Sequence, residues 1–292
     1  SIISFSLFDI LIFVLQGNKK FWDSVFVSFI SSSTRVLLLG LIIFIGIPVS
    51  IPLLLLITFI TPICGIFYAV KKIHISFRKN IPNKTTILEF IRFGGWLGVQ
   101  RIGSSIAGKL DVQLVLILLG SFMAGTYSLA TVVASFYIIF TGSFISAITP
   151  RLSAKNTLNN LRPFLLKSLV VLLGITSLML LTSLLAQPLF LIFFGEKARA
   201  SISIFQLYSL ALIPSVLSSL PLNILIYYLH QTFTVGILSV FQCMFILLGN
   251  LVLIPILGIH APILVLFISG LFGLLYSSSV ILYKKSLLTD AQ

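Results

Sequence analysis

Acidic residues are scarce in this sequence: aspartate and glutamate together number 6 of 292 residues, and all charged residues make up 9%. Soluble domains carry about 25% charged residues, so this chain has too few charges to cover its own surface in water. An apolar share of 58% and a mean hydropathy of +1.18 agree with this. We therefore predict an integral membrane protein, and we expect no nucleic-acid partner in spite of the net charge of +13.

Cysteine and histidine are also rare. Cys64 and Cys243 lie apart within apolar runs, and no histidine stands near either of them at the spacing of a metal ligand. This excludes a disulfide-stabilised secreted fold and a metal centre, and we interpret both cysteines as small packing residues. The sequence also lacks a P-loop glycine–lysine motif, so we expect no cofactor and no ATP hydrolysis by that route.

Long apolar runs define the fold class. A helix of about 20 apolar residues crosses about 30 Å of hydrocarbon, and the sequence contains nine candidate spans of this kind. They cover residues 1–15, 24–47, 49–70, 88–118, 122–149, 161–194, 201–229, 232–255 and 259–283. We predict an all-α polytopic membrane protein. An alternative takes 36–60 as a single span and places 21–34 on the membrane surface.

The basic residues between the spans predict the orientation in the membrane. If the carboxyl terminus is cytoplasmic, 12 of the basic residues lie on the cytoplasmic side, and Lys197 and Arg199 lie outside. This distribution satisfies the positive-inside rule at every loop that carries a basic cluster. We therefore expect a cytoplasmic carboxyl terminus.

A weak internal repeat relates residues 17–72 to 229–285, at a separation of about 213 residues. Each copy has a polar turn, two apolar runs divided by Gly-Ile, and an aromatic residue followed by Lys-Lys. Parallel repeats are typical of transporters whose halves are related by an axis along the membrane normal. The repeat predicts two six-helix lobes, with three further helices before Ser1, so that the chain is the carboxyl-terminal three quarters of a twelve-helix transporter. We predict that residues 1–72 are the last three helices of the first lobe and 73–87 a basic cytoplasmic linker. Residues 88–285 are then the six-helix second lobe, and 286–292 a cytoplasmic tail.

Five basic residues fall inside the candidate spans: Arg35, Arg92, Arg101, Lys109 and Lys167. A charge at a helix centre costs about 2.5–3.5 kcal/mol on an insertion scale, so such residues face protein or a water-filled cavity. Arg92 and Lys167 are near enough to a helix end for their side chains to reach the interface. Arg35 and Arg101 lie near the midplane, one in each predicted lobe, and we predict that they bind an anion in a central cavity. The alternative pairs each arginine within its own lobe, Arg101 with Asp111 for example.

The predicted helix 88–118 is the most polar span. At 100° per residue, one third of its circumference carries six polar or aromatic residues, with Arg101 at its edge: Glu89, Arg92, Trp96, Gln100, Ser104 and Asp111. Such a stripe in a membrane faces water or protein, so the helix is either a gating helix or a tightly packed one. We predict that Arg92 binds substrate with Arg35 and Arg101, and that Lys109, Gln100 and Trp96 are further cavity residues. Asp111 either binds a coupling ion, sodium or a proton, or pairs with a neighbouring cation.

Four short motifs lie between residues 93 and 153: Gly-Trp at 95–96, Asp111 before an apolar run to Gly120, Gly-x-Tyr-Ser-Leu-Ala at 125–130, and Pro-Arg-Leu-Ser at 150–153. This segment resembles the seventh and eighth helices of bacterial polysaccharide-biosynthesis flippases, the O-antigen and capsule repeat-unit flippases. These belong to the multidrug/oligosaccharidyl-lipid/polysaccharide (MOP) superfamily. Residues 193–220 are similar to that family's junction between helices nine and ten.

The resemblance implies a MATE-like or MurJ-like fold of two parallel six-helix lobes around a cavity that is often cationic. It implies a transporter, not an enzyme, that moves undecaprenyl-pyrophosphate-linked oligosaccharide across the bacterial inner membrane by alternating access. Arg35 and Arg101 would then contact the pyrophosphate or acidic sugars. The expected partners are the lipid-linked oligosaccharide, membrane lipid and a coupling ion, and we expect a monomer that works near a polysaccharide polymerase.

Two other functions remain as alternatives. A cation-coupled drug exporter of the same superfamily would show more carboxylates in its cavity than the present charge balance provides. A membrane glycosyltransferase, ligase or polymerase would need large outer loops with acidic residues. The longest predicted outer loop, around residues 196–200, is too short for that.

Overall fold

The computed structural model describes residues 2–18, 20–46, 50–72, 83–153 and 158–289, and within these ranges it is helical without a β-strand. Ten α-helices follow one another along the described chain. They are α1 (Ile2–Gly17), α2 (Phe21–Ile45), α3 (Ile51–Lys72), α4 (Lys84–Leu119), α5 (Ser121–Ser153), α6 (Leu158–Leu184), α7 (Ala186–Phe194), α8 (Arg199–Asn223), α9 (Thr232–Leu257) and α10 (Ala261–Thr289).

Seven helical stretches of the described chain are long and apolar enough to cross a membrane. One of them, Thr232–Tyr283, contains both α9 and α10, and a shorter apolar segment, Leu7–Gln16, lies in α1. The first predicted span, 1–15, corresponds to this shorter segment, and the other eight predicted spans fall in the seven stretches. The predicted all-α polytopic fold is therefore confirmed.

The alternative of one span over 36–60 is wrong. Helix α2 ends at Gly46, whose φ of 76° is left-handed and whose N–H bonds back to the carbonyls of Ile42 and Ile43. This is a glycine C-cap, which stops a helix by satisfying its last carbonyls. A separate helix, α3, begins at Ile51.

The predicted span 161–194 is two helices instead of one. Helix α6 ends at Leu184, Leu185 forms a turn, and α7 begins at Ala186. Pro188 explains the break, because proline has no N–H to donate and its ring clashes with the carbonyl four residues earlier, here that of Leu184. Regular helical bonding resumes where Leu189 N–H donates to the Leu185 carbonyl.

Two other bounds differ from the predictions. Helix α4 begins at Lys84, so residues 84–87 of the predicted linker are helical, while residues 73–82 of that linker lie outside the described residues. Helix α10 runs to Thr289, so residues 286–289 of the predicted tail are helical too. The predicted span 201–229 ends in a π-helical turn, Ile224–Tyr228.

The chain divides into two compact units, residues 1–81 and 82–292. In the first unit, α1, α2 and α3 pack around a small core of Phe8, Leu15, Val27 and Ala69. Asp23 on α2 lies 3.9 Å from the Lys72 Nζ on α3, and the Lys20 ammonium donates to the Lys72 carbonyl. These contacts tie the amino-terminal end of α2 to the carboxyl-terminal end of α3.

In the second unit, α8 is the central helix and packs against α5, α6 and α10. Its buried side chains include Phe205, Tyr208 and Leu212, and they join α5, α6, α9 and α10 in one large apolar core. Helix α4 packs along α9 and, near its carboxyl-terminal end, against α5. This arrangement leaves part of α4 open, and it is here that the candidate site lies.

Candidate functional site

One side of α4 is packed closely against α9. Trp96 meets Phe233 edge to face, with ring centroids 4.7 Å apart, and a Cβ at Gly236 would overlap the Trp96 ring. One turn further along, Ser239 Oγ donates to the Gln100 carbonyl at 3.0 Å, and a Cβ at Gly103 would overlap that same hydroxyl. Small residues let the two backbones approach in this way. Trp96 and the Gln100 backbone therefore lie in a helix–helix contact, which we call the α4–α9 seam.

The three predicted site cations of α4, Arg92, Arg101 and Lys109, are exposed. Arg92 lies on the same side as Trp96 but is near the amino-terminal end of the helix, where α4 is open. Viewed along the helix axis, Arg101 lies about 140° from Trp96 in one direction and Lys109 about 140° in the other. Both therefore face away from the seam. Ser105 stands between them at a spacing of four residues, and all three are exposed. We call Arg101, Ser105 and Lys109 the cationic face of α4.

Asp111 lies on a different side of α4 from this face and is buried. Its Oδ2 accepts a hydrogen bond of 2.8 Å from the hydroxyl of Tyr127 on α5, and its Oδ1 accepts one of 2.8 Å from the Val112 N–H. The Tyr127 ring, which is fully buried, stands edge to face with Tyr208 of α8, at 5.9 Å between centroids. The carboxyl group is thus held where α4, α5 and α8 meet.

The alternative that Arg101 pairs with Asp111 is wrong. Neither the Lys72–Asp23 nor the Arg199–Glu196 ion pair includes Asp111. Ten residues separate Arg101 from Asp111, a rise of about 15 Å along the helix. Asp111 instead has a tyrosine hydroxyl as its side-chain partner.

Tyr127 and Tyr208 were not among the predicted site residues. The signal that could have found them is their distance from a helix end. Asp111 precedes the end of α4 by 8 residues. Tyr127 follows the start of α5 by 6 residues, and Tyr208 follows the start of α8 by 9. At about 1.5 Å per residue, all three lie about 9–14 Å from the same end of the bundle. Polar residues at one depth of adjacent helices are candidates for contact.

Arg35 belongs to the first unit and lies half-buried on α2. Lys167, which we expected to reach the interface, is exposed near the start of α6. Among the described residues, no group of three or more His, Cys, Asp or Glu side chains is placed to hold a metal ion.

Comparison with known proteins agrees with this architecture. A family model described as polysaccharide biosynthesis protein matches residues 2–156. A crystal structure of a mutant MATE protein superimposes with a TM-score of 0.76 at 14% identity, over 96% of this chain and 67% of that one. A multidrug resistance MATE family transporter of the MOP superfamily, in an outward-facing conformation, gives 0.73 at 15% identity, over 90% and 63%. No curated protein matches the sequence.

The fold is therefore that of these two MATE structures, with several helices long enough to cross a membrane, and the chain spans about two thirds of their length. Because the family model covers more than half of its residues, the chain belongs to the polysaccharide biosynthesis protein family.

Proposed function

We propose that the chain is part of a flippase that moves undecaprenyl-pyrophosphate-linked oligosaccharide repeat units across the bacterial inner membrane for surface polysaccharide synthesis. It works by alternating access through a cationic cavity, with its carboxyl terminus in the cytoplasm. The observation that supports this most directly is the cationic face of α4, where Arg101 and Lys109 are exposed in a helix long enough to cross a membrane. Exposed cations at that depth call for an anionic ligand or water.

The chemistry of the cationic face suits a diphosphate. The planar guanidinium of Arg101 can bind two phosphate oxygens at once and stays charged when partly desolvated. Lys109 follows about 12 Å further along the same helix. It therefore offers a second charge to the diphosphate headgroup as the headgroup moves along α4. Arg92 adds a charge near the amino-terminal end of α4, and Arg35 on α2 of the first unit stays a proposed substrate-binding residue in its own right.

The test is complementation of a strain that lacks this transporter, using Arg101→Ala, Lys109→Ala and Arg35→Ala in the full-length protein. Each charge-assisted hydrogen bond is worth about 1.5–3 kcal/mol, so each substitution should reduce flux by about 10- to 150-fold and accumulate lipid-linked oligosaccharide. Arg101→Lys should restore part of the flux only, since lysine cannot bind two oxygens in a fork.

Lys167→Ala is the matched control. It removes an exposed cation from a membrane-spanning helix of the same unit, and we expect normal surface polysaccharide. All variants must reach wild-type levels in the membrane fraction. Full surface polysaccharide in both Arg101→Ala and Lys109→Ala would refute the assignment of the cationic face to substrate.

The second candidate is a cation-coupled exporter of drugs or other small molecules of the same superfamily. The observation in its favour is the similarity to a multidrug resistance MATE transporter, together with the buried carboxyl group of Asp111. Drug accumulation in a strain without other exporters distinguishes the two. We expect no drug resistance from this protein, and complementation of polysaccharide synthesis instead. In either case the protein is proposed to work as a monomer, driven by sodium or protons, and in the first case near a polysaccharide polymerase.

A further inference from the structure

Positive charge is concentrated at the end of the first unit where α2 begins and α3 ends. Lys20 directly precedes α2, Lys71 and Lys72 are the last two residues of α3, and all three are exposed. The Lys20 ammonium donates to the Lys72 carbonyl at 3.2 Å, so the lysines of the two helices converge on one place. Asp23 is the acid that lies beside them, and three cations to one acid leave a net charge of +2. We call Lys20, Lys71 and Lys72 the lysine patch.

Exposed aromatic rings begin directly beside the lysine patch. On α2, Trp22, Phe26 and Phe29 follow one another at spacings of four and three residues, so they form a stripe along one side of the helix. On α3, Phe67 precedes Lys71 by about one turn. All four rings are exposed, Trp22 by 79% and Phe67 by 75%. Each helix therefore carries exposed rings that start at the level of the lysines.

Helices α2 and α3 run antiparallel and in close contact. Asp23 lies 3.9 Å from the Lys72 ammonium, and one turn further along α2 a Cβ at Gly65 would lie 3.1 Å from the Val27 carbonyl. Residue numbers thus rise on one helix as they fall on the other. Asp23 and Lys72 mark the line along which the two helices face each other.

The exposed rings lie on one side of this helix pair. At 100° per residue, those of α2 lie about 60–120° round the helix from Asp23, and Phe67 and Lys71 lie about 100–140° round α3 from Lys72, in the same rotational sense. In antiparallel helices that face each other, the same sense leads to the same side of the pair. The residues of α2 and α3 that join the core with α1 are turned in the opposite sense. The rings and the lysine patch therefore form a face directed away from α1, which we call the α2–α3 face.

The α2–α3 face has the same order of chemistry as a phospholipid. Its cations lie at the ends of two membrane-spanning helices, and Trp22 beside them is a residue typical of the membrane–water interface. Phe26 and Phe29 lie about 6 and 11 Å deeper than Trp22, at the level of acyl chains. Lysines at an interface attract anionic headgroups, whereas a zwitterionic headgroup has no net charge. The face therefore suits an anionic lipid.

We propose that the α2–α3 face binds one anionic phospholipid of the surrounding bilayer, with its phosphate on the lysine patch and an acyl chain along Trp22, Phe26 and Phe29. The lipid belongs to the leaflet at this end of the two helices, the cytoplasmic one in the predicted orientation. Its phosphate bridges lysines of both helices and so holds the start of α2 to the end of α3. The site requires no contact with a transported substrate and is independent of the flippase proposal.

The test follows the fluorescence of Trp22 in the full-length protein, reconstituted in phosphatidylcholine vesicles. Trp22 and Trp96 are the two tryptophans of this sequence, so Trp96 and any tryptophan outside it are replaced by phenylalanine. Brominated phosphatidylglycerol is added at increasing mole fraction, because a bromine atom on an acyl chain quenches tryptophan only in contact; brominated phosphatidylcholine is the zwitterionic reference. Two net charges at about 1 kcal/mol each predict a preference of about 30-fold for the anionic lipid. It should fall in about 1 M salt, which screens exposed charges.

Variants of the lysine patch locate the phosphate. Lys71→Gln should weaken the anionic preference about fivefold, Lys71→Arg should keep it, and replacement of all three lysines by glutamine should abolish it. Asp23→Asn should strengthen the preference about fivefold, because it removes the acid that offsets one lysine. Lys84→Gln is the matched control, since Lys84 is an exposed lysine at the start of α4 in the other unit, and it should leave the preference unchanged.

Three results would overturn the proposal: equal quenching by both brominated lipids, an anionic preference that survives the loss of all three lysines, or no quenching by either lipid, which would show that another part of the protein covers the face. Stronger competition by a polyprenyl diphosphate than by unlabelled phosphatidylglycerol would assign the face to the transported lipid instead. Circular dichroism checks that each variant folds. If the triple variant does not fold, Lys71→Gln and Asp23→Asn decide, because they should act in opposite directions.

Discussion

The hydrogen bond between Tyr127 and Asp111 gives the sharpest stability prediction. Tyr127→Phe removes one hydroxyl, while the ring keeps its edge-to-face contact with Tyr208. Hydrogen bonds to charged acceptors contribute about 1.5–3 kcal/mol, and a buried acceptor that loses its donor is costly. We expect the free energy of unfolding to fall by that amount. For a chain of this size, this corresponds to a midpoint about 3–12 °C lower.

The assay is thermal unfolding in detergent, followed by tryptophan fluorescence in choline chloride so that no sodium contributes. Tyr276→Phe is the control: its ring stacks on Phe272, its hydroxyl makes no hydrogen bond with the described residues, and its midpoint should not move. In a double-mutant cycle, Tyr127→Phe should cost much less in an Asp111→Asn background, because groups in direct contact are not additive. A midpoint unchanged by Tyr127→Phe, or strict additivity of the two substitutions, would refute the inference that this bond anchors the carboxylate.

Three further substitutions test the packing. Gly236→Ala should lower the free energy of unfolding by about 1–3 kcal/mol, since its methyl group would overlap Trp96. Gly98→Ala has open space and should be neutral or stabilising by up to about 1 kcal/mol. Denaturant unfolding compares the two variants, and equal effects would contradict the close packing of the α4–α9 seam. Asp23→Asn should cost less than about 1 kcal/mol in the same measurement, because the Lys72 side chain is 49% exposed and the pair is 3.9 Å apart. A larger loss would contradict the expectation that this exposed pair adds little to the contact between α2 and α3.

Most of the fold could be predicted from the sequence because a membrane-spanning helix is recognised from the length and the apolar composition of a run of residues. The predicted span 24–47 begins three residues inside α2, and 232–255 ends two residues before the end of α9. The break at Leu185 was missed although its cause, Pro188, stands in the sequence. Hydropathy is the same on both sides of that proline, and a search for apolar length alone passes over it. The π-helical turn Ile224–Tyr228 was missed for a similar reason, since its residues are as apolar as the helix before them.

The site was harder to predict, because periodicity shows that a side of a helix is polar but not what covers it. Trp96, Gln100 and Asp111 fall in one predicted stripe of α4, yet Trp96 and Gln100 meet α9 whereas Asp111 bonds to α5. Close packing belongs to the side of α4 that meets α9, whereas the cationic face is exposed, and the predicted gating role stays a prediction. Only the neighbours of each side could separate the two sides.

Asn250 on α9 shows the same limit from the opposite direction. It is fully buried, and neither atom of its side-chain amide has a hydrogen-bond partner among the described residues. In sequence it is one of two amides within a very apolar helix, and nothing in the spacing of that helix shows that it is buried without a partner. The acids are informative in the same way, because their number shows scarcity but not position. Asp111 is the buried acid of the described chain, it accepts a hydrogen bond from a tyrosine, and it lies on a different side of α4 from the cations proposed to meet the substrate.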